Sequence, residues 1–180
     1  MMRTRRIIEA VTAVVLASTL AGCALLGGIM SESGDQGIVP PAEFSSKTGE
    51  QTLDDTLAHT EDLVRFLGGD WYDDGVPREL FDPTVRSGWS GGPCGAAGTD
   101  QYSIHVRQVV PVADPLAKIE QVREHWKRLG YRVRQLGPAE ADEELLTHIF
   151  VDLPFGAGLE FNASTTGMAI STQGECYIVQ

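Results

Sequence analysis

The chain has 180 residues, 25 acidic and 14 basic side chains, a formal charge of −11 and 42% hydrophobic residues. That length supplies one domain with a real hydrophobic core and is short for two. The acid excess argues against nucleic acid as a partner, because phosphate recognition needs clustered Lys and Arg.

Arg3, Arg5 and Arg6 precede an apolar run from Ala10 to Gly22. The run is too short for a bilayer core of about 30 Å, which takes about 20 apolar residues. A basic head, a short apolar centre and small residues before a cut describe a signal peptide over residues 1–22 instead. Thr19-Leu20-Ala21-Gly22-Cys23 resembles a bacterial lipobox, in which the cysteine receives lipid and becomes the new N-terminus. Cys23 is therefore the expected lipidation site, and the expected location is the extracytoplasmic face of the cell membrane. Residues 1–22 hold three arginines and one glutamate, so the remainder is more acidic still. Membrane attachment then has to come from lipid, and two or three acyl chains suffice where one is marginal. Arg5-Arg6 invites a twin-arginine export route, but the apolar positions that motif requires are not matched by Ile7-Ile8-Glu9.

Residues 23–47 read as the lipidated cysteine and a flexible tether, rich in Gly, Ser and Pro and without helical or strand period. A single globular domain is expected over 48–180. Leu53, Leu57, Thr60, Val64 and Leu67 share one helical face, Thr48 with Gln51 offers a capping box, and Gly68 can end the helix. From Gly69 to Thr99 periodicity disappears, and a connection of that length is unusual in a compact domain. Trp71, Tyr72 and Trp89 in this stretch either fold back onto the domain or form an exposed contact patch. Tyr102 to Val110 alternates as a half-buried strand. Asp114-Pro115 then opens a second helix with Leu116, Ile119, Val122, Trp126 and Leu129 as its stripe and Gly130 at its end. Further strands are expected at Tyr131–Leu136, Thr147–Leu153, Leu159–Ala163 and Met168–Thr172, with a short last one at Cys176–Val179. Gly137-Pro138 breaks the first of these, and Glu140 to Glu144 makes an acidic surface turn.

This order predicts an α+β fold, a two-layer sandwich with a largely antiparallel sheet of about five strands and two helices on one face. The passage from Tyr102 to Leu136 fits either a parallel crossover or an antiparallel return. With Cys23 lipidated, Cys94 and Cys176 remain as an even pair in an oxidising setting and are expected to form a disulfide; two buried thiols that never meet are the alternative.

Several features in order give the chain a wider likeness. They are Gly69-Asp70-Trp71-Tyr72-Asp73-Asp74 after the first helix, the lone Cys94, Val122-Arg123-Glu124 in a helix ending near Gly130, and the closing Thr172-Gln173-Gly174-Glu175-Cys176 with its apolar tail. Together they resemble the LppA-like lipoproteins of actinobacteria. What the resemblance implies is a surface lipoprotein of uncharacterised role, without a catalytic assignment.

Gly88-Trp89-Ser90-Gly91-Gly92 satisfies Gly-x-Ser-x-Gly, with Asp142 and His148 downstream in hydrolase order. A nucleophile elbow needs a helix after the serine, and Pro93-Cys94-Gly95 cannot open one of any length. His59, His105, His125 and His148 stand singly, without metal-ligand spacing, and Asp70, Asp73 and Asp74 lack the alternation of a calcium loop. No metal and no cofactor is expected. The reading is a non-catalytic binding or interaction module facing an envelope protein or a small ligand, with a small serine hydrolase using Ser90 and a purely structural envelope protein as alternatives.

Overall fold

A computed structural model describes residues 43–136 and 147–180. The signal peptide, Cys23, most of the tether, the Gly137-Pro138 break and the acidic turn with Asp142 lie outside the described residues.

Helix α1 (Gly49–Leu67) starts at Thr48, whose hydroxyl accepts from the Gln51 amide while Gln51 accepts from the Thr48 amide. Gly68 ends it at φ 70°, a conformation that costs a residue without Cβ nothing. Helix α2 (Pro115–Arg128) is capped by Asp114, which accepts from Ala117 N–H at 2.9 Å. Proline at its first position gives up only an amide that has no helical partner.

Among the described residues the sheet has eight strands rather than about five. These are β1 (Tyr72–Asp73), β2 (Gly91–Gly92), β3 (Thr99–Gln108), β4 (Val133–Leu136), β5 (Thr147–Asp152), β6 (Gly158–Ser164), β7 (Gly167–Gln173) and β8 (Tyr177–Ile178). The main path runs β1-β3-β7-β6-β5-β4, antiparallel at every step, with β2 and β8 both paired to the N-terminal part of β3. The surplus comes from pairs of residues too short to show any alternation; β3 is long enough to hold four partners. Strands β3 and β4 point the same way but stand apart, with β7, β6 and β5 between them. Of the two expected alternatives, the α2 connection is thus the parallel crossover, and it spans three intervening strands.

Ile104, Val106, Ile149, Val151, Leu159, Phe161, Ala163, Met168 and Ile170 face one way and form a single core with Leu53, Leu57 and Leu63 of α1 and Ile119, Val122 and Trp126 of α2. Both helices therefore lie on the same face. Leu116 and Leu129, placed on the α2 stripe by spacing, are exposed at the ends of that helix. On α1 the face in deepest contact is Thr52, Thr56 and Thr60, all fully buried. A buried hydroxyl is costly without a partner. Here Thr52, Thr56 and Thr60 donate to the carbonyls of Gly49, Thr52 and Thr56, and Thr60 also meets the Thr172 hydroxyl at 2.8 Å.

Cys94 and Cys176 form a disulfide, with Cα atoms 5.9 Å apart across 82 residues of sequence, and both are buried. For a loop of that length the chain-entropy account gives about 4.5 kcal/mol as an upper guide. The bond ties the end of the long loop to the approach to β8. Part of the expected tether is docked at the same place. Ser45 is buried and its amide donates to the Cys176 carbonyl at 2.8 Å, while Lys47 pairs with Asp55 and Glu175 at 2.7 Å each.

Gly174 follows β7 directly beneath α1, and a Cβ there would run into the Thr56 hydroxyl. Gly174→Ala is expected to destabilise the domain by about 1–3 kcal/mol through overpacking. Adding Thr56→Ala should return part of that loss, as urea denaturation of the single and double variants would measure.

Candidate functional site

Alternation sends the polar partners of the core residues to the opposite face of the sheet, and no described element covers them. The strand registers place His105, Ser171, Glu160, Phe150 and Arg134 opposite one another in turn, from β3 through β7, β6 and β5 to β4. Beside that row, Ser103, Gln173 and Asp152 continue along β3, β7 and β5. All of these side chains except Arg134 line a cleft of about 390 Å³ that ends at the turn joining β5 to β6. Clefts of roughly 300–1,000 Å³ with a few polar groups set in apolar walls are the usual size for small ligands.

The polar groups of the cleft are fixed in place. His105 Nδ1 lies 2.9 Å from the Ser171 hydroxyl. Glu160 accepts from His148 Nδ1 at 2.7 Å, and the His148 ring lies parallel to Phe150 with centroids 6.1 Å apart. Arg134 donates to both oxygens of Asp152 at 2.6 Å, and this contact holds the Asp152 carboxyl below the usual carboxylate range. In the closing turn Phe155 adopts φ 57°, uncommon for a residue with a side chain. Its carbonyl accepts from Cys176 N–H at 2.9 Å, so the disulfide segment holds one end of the cleft.

The aromatic residues singled out in the sequence do not form one patch. Trp71 is 1% exposed and belongs to the core, its indole N–H donating to the Gly68 carbonyl at 3.1 Å. Its neighbours Asp70 and Tyr72 are exposed, so the chain here turns this one side chain inward. Trp89 is half-buried against the core and donates to the Val85 carbonyl at 2.9 Å. Tyr72 alone stays outside, in β1, on a second cleft of about 530 Å³ with Val109, Val110 and Arg78.

Ser90 is exposed and precedes β2, with no helix behind it. Its expected partner Asp142 lies outside the described residues, and His148 is bonded to Glu160 on the open face. Elsewhere His125 stacks on Phe66, with centroids 3.9 Å apart, and pairs with Asp62 at 2.7 Å. His59 is half-buried on α1, and that burial lowers its pKa. Among the described residues no three His, Cys, Asp or Glu side chains gather as metal ligands do. Burial also raises the Tyr177 pKa beside Tyr102. Sequence spacing missed Ser103, His105, Ser171 and Gln173 as a group, although their place on the polar phase of two alternating strands was a signal that they share a face.

No protein-family model and no curated protein matches the chain. A crystal structure of a DUF4853 family protein from Actinomyces odontolyticus is similar to it at a TM-score of 0.49 and 16% identity, over 78% of this chain and 75% of that one.

The different placements of Trp71 and Tyr72 are directly measurable. Trp71→Ala should cost about 3–5 kcal/mol in urea denaturation. Tyr72→Ala should change stability by no more than about 0.5 kcal/mol.

Proposed function

We propose that this protein is a lipid-anchored lipoprotein of the extracytoplasmic membrane face, similar to the LppA-like lipoproteins, and that its α+β domain is a non-catalytic binding module. The observation that carries the reading is the bond between Cys94 and Cys176. Such bonds belong to oxidising compartments, and this one uses both cysteines outside the lipobox, leaving Cys23 for lipid. A binding role draws support from the open sheet face, where polar side chains held by their neighbours surround a half-buried phenyl ring. The hydrolase alternative has less support, since the turn at Ser90 lacks the helix that would present a nucleophile.

Cys23→Ser should abolish labelling by a fatty-acid probe in growing cells and leave the precursor uncut; equal labelling of variant and parent overturns the anchor. A fluorophosphonate probe should leave the purified protein unmodified. Stoichiometric labelling that disappears in Ser90→Ala would replace the binding module with a serine hydrolase.

A further inference from the structure

We propose that the cleft on the open face of the sheet binds a neutral saccharide of about two sugar units, an assignment that rests on the binding-module reading above. Charge decides the class of ligand first. Both carboxylates that line the cleft are already partnered, Asp152 by the Arg134 guanidinium and Glu160 by His148. A cationic ligand would have to displace one of these partners. An anionic ligand would approach a chain of formal charge −11 without an unspent cation among the lining residues to meet it. The ligand left is uncharged.

Hydrogen-bonding capacity decides next. The hydroxyls of Ser103 and Ser171, the second ring nitrogen of His105, the other oxygen of Glu160 and the side-chain carbonyl of Gln173 all stand on this face. Gln173 spends an amide proton on Gln101 at 2.7 Å, which fixes its orientation. The set mixes donors and acceptors, and a hydroxyl serves as either. A polyhydroxylated ligand satisfies such a row, whereas an aliphatic one leaves its members without partners at a cost for each.

Shape decides the rest. Phe150 is the last member of the row that lines the cleft and offers an apolar ring, the complement of the C–H face of a sugar ring. From Phe150 to His105 the row crosses three strand spacings, roughly 14 Å at about 4.8 Å each. Two linked rings fill that length, one on the phenyl platform and one over Ser171 and His105. The turn at Phe155 closes the end of the cleft near Asp152 and Gln173.

The test is saturation-transfer NMR titration of the full chain in a sugar-free detergent with maltose, lactose and N,N′-diacetylchitobiose, with cadaverine and glutarate as charged probes. At least one disaccharide is expected to bind. Phe150→Ala should weaken it tenfold or more, Phe150→Leu about threefold, and Ser171→Ala about threefold, with unchanged far-UV circular dichroism. Glu124→Gln, on the exposed side of α2, should bind like the parent. Should a charged probe bind in a Phe150-dependent manner while the disaccharides do not, the saccharide assignment falls and the binding role of the face stands. Should no probe bind in a Phe150-dependent manner, both fall.

Discussion

Helix α1 meets the sheet through threonines, and much of the remaining architecture follows from that contact. Leucines at those positions would hold the helix further off. Thr52, Thr56 and Thr60 let it come close, and each hydroxyl is satisfied within the helix by a carbonyl three or four residues back. Close approach in turn demands Gly174 directly below. The chain leaving β7 can then pass under α1 and reach Cys176, where the disulfide, the Ser45 bridge and the turn at Phe155 converge. A helix held further away would leave that junction unsupported on one side.

With both helices spent on one face, the sheet presents its polar side to the surroundings. Antiparallel sheets tolerate this, because alternation gives each strand an apolar and a polar side. On this polar side several members are paired with one another, through Arg134–Asp152, His148–Glu160 and His105–Ser171.

The two helices were legible in the sequence because period and caps agree at both: Thr48, Gln51 and Gly68 around one, Asp114, Pro115 and Gly130 around the other. The longer strands were legible by alternation. The two-residue strands β1 and β2 were not, because two residues carry no period and pairing exists only once β3 is long enough to receive them. Spacing puts Leu53, Leu57, Thr60, Val64 and Leu67 on the α1 stripe but leaves out Thr52 and Thr56, which are fully buried beside Thr60, since a hydroxyl bonded within its own helix buries as an apolar group does. Trp71 could have been core or surface on sequence alone, because the single inward turn between exposed Asp70 and Tyr72 leaves no periodic signal. The open-face cleft needed the strand order β3-β7-β6-β5, which brings Ser103, Phe150, Glu160 and Ser171 together from positions up to 68 residues apart. Nothing local to any one strand specifies that order.

The docking of Ser45 and Lys47 has a mechanical consequence. Tension applied to the chain on the N-terminal side of residue 45 enters the domain at the Ser45–Cys176 hydrogen bond and the Lys47 pairs with Asp55 and Glu175. From Cys176 the load passes through a covalent link to Cys94 and from there towards β3, the strand that holds the most partners. Force is thereby shared between α1, through Asp55, and the most heavily cross-braced part of the sheet. The open face, farther along β7, β6 and β5, keeps its shape under a pull that would otherwise peel the first helix away.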